Sequence, residues 1–470
     1  MKRISSSHLA PLFGLLLCLS ACFHDDDTEI PTPLTGDHTW ALVGQGPLDN
    51  TTFFGANFGN QGSWAGIGFQ FDDAAGNGGF GEETPFVFAG TRLGSLAWFH
   101  SLRNGPQTIW PTSIDISKDG LSFVSGGFSE TLADTAFMTG EVLVHLDSDG
   151  SSPWGIKTND GQHTIDLTAS RGIANGCFIL GTNNDGTGVY SYLVGVTAAG
   201  TIAWGKESLN DITEEQITLI RSYDDGSCLI AGNRVDNLGG TGAFVARILS
   251  TGAERWWSYV DSEEDSVLVD AQPISGGGAI VVLDDGGDGL IVARLNSLGN
   301  RTFAKRVSHP LGNGLALYES TSSNDQTICI AATSDGAGGQ DPVVFALNSD
   351  GEESWAWQIT AGQDLVLISP EPSTLGFYLA GVTEENIFSL ATTTDAVFLE
   401  INSKGELGNE DCLITIALSL SVLDANVDSS GSLWDSSSIA DPEDFFSRID
   451  IGHSSPSSTL KQVICESAGS

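Results

Sequence analysis

Closely spaced carboxylates are the first residues in this chain that could do chemistry. Asp147 and Asp149 in DSDG (147–150), Asp350 in NSDG (348–351) and the aspartates of DDGGDG (284–289) resemble the start of a calcium loop. Ca²⁺ takes roughly six to eight oxygens at fixed offsets. Each stretch supplies only two or three carboxylates or amides. Asp-Gly also makes tight turns without any ion, so a hairpin turn is the reading and Ca²⁺ the alternative ligand. His100, His145, His163 and His309 show neither an HExxH pattern nor paired spacing, which leaves zinc without a ligand set. No GxSxG stands between a strand and a helix, and no carboxylate pair stands out among 60 Asp and Glu. No catalytic residue and no metal site is assigned.

Seven cysteines remain. Cys177 and Cys228 occupy equivalent positions in successive repeats, described below. Equivalent strands on stacked sheets lie about 10 Å apart, beyond the reach of a disulfide, so both are expected as packed thiols. Cys412 and Cys465 bracket the C-terminal tail and are a possible disulfide in an oxidising compartment.

Cys22 is the cysteine with the clearest chemistry. Residues 1–22 read MKRISSSHLAPLFGLLLCLSAC: Lys2 and Arg3, an apolar run from Leu9 to Leu19, then Leu19-Ser20-Ala21-Cys22. The run is too short to span a bilayer and is built like a signal peptide. Its end resembles a bacterial lipobox. The resemblance implies cleavage before Cys22, acylation of its thiol, and anchoring through buried CH₂ groups at about 0.8 kcal/mol each. An ordinary secretory signal is the alternative. Phe23, where inner-membrane lipoproteins of this type usually carry Asp, implies the outer membrane, on either its periplasmic or its surface side. The next stretch, HDDDTEIPTPLTGD (24–37), reads as a solvated tether.

The net charge is −41, and loss of Lys2 and Arg3 with the leader takes it to −43. Such a surface repels phosphate backbones, so nucleic acid is excluded as a partner. With 58 Gly and only 19 Lys and Arg, the composition favours short strands and tight turns over long helices.

The elements that would position any site come from a repeat. GTRLGSLAW (90–98), LDSDGSSPW (146–154), VTAAGTIAW (196–204), ILSTGAERW (248–256), LNSLGNRTF (295–303), LNSDGEESW (347–355) and INSKGELGN (401–409) align on Gly94, Gly150, Gly200, Gly252, Gly299, Gly351 and Gly405. Four residues after these glycines come Trp98, Trp154, Trp204, Trp256, Phe303 and Trp355, and finally Asn409. Tryptophan occurs 11 times in 470 residues, so this register is a structural signal. Upstream lie apolar runs such as FILGT (178–182) and LIAGN (229–233), preceded by SIDIS (113–117) or ITLIR (217–221), with KDG or DDG between. Each unit therefore reads as four antiparallel strands in about 50 residues, the make-up of a β-propeller blade. One blade cannot bury both faces, so blades stack around an axis. The aromatic then reads as a wedge between neighbours, with a sugar-stacking platform as the alternative.

The fold expected is all-β: a propeller of seven four-stranded blades, with six or eight as alternatives. LITIALS (413–419) reads as a first strand, and the segment from WALVGQG (40–46) to Trp98 shows later strands but no first one. The two ends are thus expected to share a blade and close the ring, which removes exposed sheet edges. The domains expected are a lipoprotein signal peptide at 1–21, an acidic tether at 22–38, a propeller at 39–425 and a Ser-rich extension at 426–470. That extension packs on one face of the ring or is partly disordered, with DPEDFFSRI (441–449) starting a short helix.

The pattern resembles bacterial propeller repeats of the form L-D-x-x-G-x-x-x-W. It is also similar to the pyrroloquinoline-quinone-type repeat found in the propeller lipoprotein of the outer-membrane β-barrel assembly machine. The resemblance spans roughly residues 40–420 and implies a fold. It concerns blade-docking residues and implies no quinone cofactor. The function expected is a non-catalytic, membrane-anchored scaffold for a protein or polysaccharide partner, with a Ca²⁺-dependent carbohydrate binder or envelope enzyme as the alternative.

Overall fold

The computed structural model describes thirty-five strands (β1–β35), with the turns at 147–152, 186–188, 197–201, 223–227, 249–253, 274–278, 296–300, 348–352 and 403–406 and short flanks at 164–165, 176, 266, 309, 419–420 and 425. The segments expected as signal peptide and tether, with Cys22 at their junction, lie outside the described residues.

Strand β1 is Trp40–Gln45. Six continuous antiparallel meanders follow. The first is β2 Thr51–Phe58, β3 Trp64–Phe71, β4 Glu83–Gly90 and β5 Leu96–Asn104, and the second β6 Gln107–Ile116, β7 Ser122–Ser129, β8 Glu141–Leu146 and β9 Trp154–Thr158. The third is β10 Leu167–Ser170, β11 Cys177–Asn184, β12 Val189–Val196 and β13 Ile202–Asp211, and the fourth β14 Glu215–Ser222, β15 Cys228–Val235, β16 Thr241–Ile248 and β17 Glu254–Ser262. The fifth is β18 Val267–Pro273, β19 Ala279–Asp284, β20 Gly289–Leu295 and β21 Arg301–Ser308, and the sixth β22 Leu315–Ser323, β23 Thr327–Gly336, β24 Gly339–Leu347 and β25 Glu353–Thr360. A last group, β26 Asp364–Pro372, β27 Gly376–Glu384 and β28 Thr394–Asn402, has three strands of its own and takes β1 as its fourth. These strands form six sheets, because the first two meanders join through Arg103↔Thr108 and Asn104↔Gln107.

Three expectations are corrected here. The N-terminal segment does have a first strand, β2, which the phenylalanines and threonines of TTFFGANF support but the surrounding glycines obscure. The run at 413–419 is no first strand. Within it, β29 Ile414–Ala417 pairs with the outer strand β25. β29 opens a belt that continues as β30 Ser421–Asp424, β31 Val427–Gly431, β32 Ser436–Ser438, β33 Phe446–Ile449, β34 Gly452–Ser454 and β35 Lys461–Glu466. These strands pair in turn with β21, β17, β13, β9, β5 and β1. The C-terminal segment thus visits the meanders in reverse order and adds an outer strand to each. Phe446–Ile449 is strand, not helix: its backbone donors go to the open edge of β9.

The core lies between meanders. In β19, Ala279, Val281 and Leu283 pack into a cluster with Leu229, Ala231 and Val245 of the fourth meander. Ile280 and Val282 point the other way, into a cluster with Val343 and Phe345 of the sixth. Period-two alternation with both faces apolar is what a sheet buried on both sides requires. The first strands pack in succession, β2 on β6, β6 on β10 and so on to β22 on β26, and β26 packs on β2. The chain of contacts therefore returns to its start.

Candidate functional site

The repeated glycine-aromatic pair joins one meander to the next. Gly150, Gly200, Gly252, Gly299, Gly351 and Gly405 all take positive φ, from +74° to +80°. Each closes a turn by donating its N–H three residues back, as Gly200 does to Thr197 at 2.9 Å. This is a type I turn followed by a left-handed residue with a bulge. The register shift between Gly195 and Val196 is that bulge.

A Cβ on Gly200 would sit 2.7 Å from Trp154, one on Gly252 2.8 Å from Trp204, and one on Gly405 2.5 Å from Trp355. The aromatic of one meander thus lies flat on the next meander's turn. Its indole N–H completes the joint: Trp98 donates to Ser148, Trp154 to Ala198, Trp204 to Ser250 and Trp355 to Ser403, at 2.8–3.2 Å. Phe303 has no such donor and rests against Gly351 by packing alone. These aromatics are structural wedges. Gly94 lies outside the described residues.

The acidic turns serve the same architecture. Asp149 Oδ1 accepts from the Ser151 amide at 2.9 Å and its hydroxyl at 2.6 Å. The Ser151 hydroxyl bond foremost holds the Asp149 carboxyl below its ordinary value. Asn348 Oδ1 accepts from the amides of Asp350 and Glu352 in the equivalent turn. Among the described residues no group of three or more His, Cys, Asp or Glu is placed to hold a metal ion.

Cys177 and Cys228 are buried free thiols, and burial pushes both well up. Cys465 lies on β35 opposite Ala41, while Cys412 is outside the described residues, so their pairing has no geometry here. His145 is 5% exposed and packs against Trp154 at 5.1 Å. Desolvation lowers its pKa, and Asp147 at 4.0 Å works in the opposite direction.

Two polar clasps were not legible as sites in the sequence. Asp270 on β18 is 1% exposed and accepts from the Ser320 amide at 2.7 Å and hydroxyl at 2.6 Å on β22, with Arg221 of β14 at 3.9 Å. It ties the first strands of three successive meanders. Arg247 reaches Asp225 at 2.5 Å, Ser227 at 3.0 Å and the Gly277 carbonyl at 3.3 Å, and lies over the Tyr223 ring. Trp256 donates to the same Gly277 carbonyl, so its N–H departs from the pattern of the other wedges. Both clasps are internally satisfied and join meanders.

Strand direction separates two ends. The connections between first and second strands, and the glycine turns between third and fourth, leave by one end, called here the turn end. Connections between second and third strands, and between successive meanders, leave by the other, the loop end. The loop-end connections contain Asp72, Asp73, Glu130, Asp185, Asp236 and Asp288 among many acids, and none contains Lys or Arg. The turn-end connections include Arg92, Lys118, Arg171 and Lys404 beside acids such as Asp119, Asp149, Asp225 and Asp350. The repeat residues cluster at the turn end, whereas loop-end connections vary in length from 337–338 to 72–82.

No described protein family and no curated protein matches this chain. Among solved structures, a protein of unknown function from Dyadobacter fermentans is similar over 79% of this chain and 98% of its own, at 11% identity and a TM-score of 0.35. A leech intramolecular trans-sialidase, solved with 2,7-anhydro-Neu5Ac, is similar over 80% of this chain and 68% of its own, at 8% identity and a TM-score of 0.32.

Proposed function

We propose that this chain is a lipid-anchored, non-catalytic seven-bladed β-propeller of the bacterial outer membrane, offering its loop end to a protein or glycan partner. The six continuous meanders and the composite β26–β28–β1 group are its seven blades. The observation that carries this reading is the division of labour between the ends. The repeated residues dock blade to blade at the turn end, and the connections of variable length, acidic and without Lys or Arg, lie at the other. A rigid ring with variable loops at one end is suited to binding. Cys22 supplies the anchor, and the acidic segment 22–38 the tether.

Cys22→Ala is the test of the anchor. The natural chain takes up an alkyne-bearing fatty acid and sediments with membranes, and the variant does neither. A variant that still sediments removes the anchor from this reading. For the scaffold role, crosslinking in intact cells with photoreactive residues at the loop end yields a defined partner that turn-end probes do not. Equal yields from both ends contradict it.

The second reading, a Ca²⁺-dependent carbohydrate binder or envelope enzyme, draws on the density of aspartate at the loop end, such as Asp285 and Asp288. Unfolding temperature measured with Ca²⁺, with chelator and with polysaccharides separates the two. A shift of several degrees with Ca²⁺ supports the second reading, and no shift dismisses it.

A further inference from the structure

We infer that the ring stands on its membrane with the turn end toward the lipid and the loop end facing away. This rests on the anchor reading and adds a direction to it. In the composite meander, β1 is the fourth strand, and fourth strands run from the turn end to the loop end. Gln45 therefore lies at the loop end, where residues 46–50 lead into β2, and Trp40 lies at the turn end. The chain from Cys22 consequently enters the ring at the turn end. The C-terminal belt closes at the same place, since Glu466, the last residue of β35, pairs with Trp40. Neither Trp40 nor Glu466 lies at the loop end.

Lengths make this placement matter. Residues 23–39 are 17 in number, and a flexible chain of that length has an end-to-end distance of roughly 5–6 Å times the square root of the residue number, or about 23 Å. The eight residues of β15, Cys228–Val235, rise about 26 Å from the turn end to the loop end. To bring the loop end to the bilayer, the tether would have to double back along the whole height of a blade, at the limit of its usual reach.

Charge acts in the same direction. The loop-end connections carry acids and no Lys or Arg. The turn-end connections set Arg92, Lys118, Arg171 and Lys404 among acids such as Asp119, Asp149, Asp225 and Asp350, so both ends are net acidic and the loop end the more so. An anionic lipid surface attracts Lys and Arg by about 1 kcal/mol each within a Debye length and repels carboxylates. The bases nearest the loop end sit inside strands, as Arg234 does over the Tyr259 ring at 4.7 Å.

The experiment uses the full acylated chain on vesicles of phosphatidylethanolamine and phosphatidylglycerol, with Cys329→Ser, Cys412→Ser and Cys465→Ser as background. Cys177 and Cys228 are buried and do not label. A fluorophore is placed through Leu298→Cys at the turn end or Val235→Cys at the loop end, both exposed positions (65% and 42%). Energy transfer to a headgroup-bound acceptor is read for each. The expected result is several-fold more transfer from position 298 than from 235, narrowing as salt is raised. Equal or reversed transfer from a protein that floats with the vesicles overturns the orientation alone. A protein that does not float overturns the anchor reading and the orientation with it.

Discussion

Trp154 donates its indole N–H to the carbonyl oxygen of Ala198, 2.8 Å away on the turn of the following meander. The ring covers buried Gly200, where a Cβ would lie 2.7 Å from it. Aromatic and glycine are thus two halves of one joint, separated by 46 residues of sequence.

Trp154→Ala removes a buried aromatic and leaves a cavity at the joint. A loss of about 3–5 kcal/mol is expected. Trp154→Phe keeps most of the packing and loses the hydrogen bond, costing about 1 kcal/mol more than volume alone. Phe303 shows that the joint tolerates a ring without a donor. Urea unfolding of the three proteins checks the ordering, and equal stability of the Ala and Phe variants contradicts the wedge.

The missing seventh aromatic has a register counterpart. In the other meanders the wedge lies opposite the residue five before the turn glycine, as Trp204 does opposite Gly195 and Trp355 opposite Ala346. For Gly405 that residue is Glu400. Ala41 pairs with Leu399, so one further step along β1 sets Trp40 opposite Glu400. Trp40→Ala is therefore expected to destabilise to a similar degree as Trp154→Ala. It should also speed amide exchange in β28 and β35, the two neighbours of β1. Unchanged exchange in both strands would remove Trp40 from the series.

The repeat was legible because wedge and glycine each demand one residue type at one place: a large ring, and a residue at ease with positive φ. Trp40 was not, since strand pairing across the whole chain, and not local spacing, puts it in line. The belt was hidden for a related reason. Its strands are short and Ser-rich, so SSS (436–438) has neither alternation nor β-branched residues, and only the open edge of β13 makes it a strand. Asp270 and Arg247 were two charges among many until the packing of successive meanders brought their partners to them.

Asp270 is fully enclosed, and its partners are Ser320, Gln272 and Arg221. Asp270→Ala leaves the Ser320 amide and hydroxyl without their acceptor in a closed site. A cost of about 3–5 kcal/mol is expected, as when one member of a buried charged network is removed. Ser320→Ala, which keeps the amide bond, should cost about 1–2 kcal/mol. Thermal unfolding checks both, and a neutral Asp270→Ala would show that the clasp adds nothing.

His145 predicts a pH dependence. Burial lowers its pKa in the folded protein, while the unfolded chain titrates near the ordinary value of about 6.5. Above that value both states are neutral, and the contribution to stability is complete. As pH falls below it, the unfolded state takes up a proton that the folded state refuses, so stability declines until the folded pKa is reached, by at most about 1.4 kcal/mol per pH unit. Urea unfolding near pH 7.5 and pH 5.5 should show a larger drop for the natural chain than for His145→Gln. Equal drops would assign the acid sensitivity to other groups.

The belt predicts a different failure from the wedges. Its strands are short, and in β30 three of four residues are exposed, so little apolar burial holds each segment. What it does is cover seven outer edges whose free N–H and C=O groups would otherwise recruit another chain. Proline at Leu423 and Ser430 removes ladder donors facing β21 and β17. The meanders beneath keep their inter-unit cores, so the unfolding midpoint should move little. Amides in Lys305–Ser308 and Ser258–Ser262 should exchange faster, and association should rise with concentration, read by hydrogen exchange and by light scattering. A variant that unfolds early with no change in association would make the belt part of the core, and one that stays monomeric with protected edges would show that these two belt strands are not what guards them.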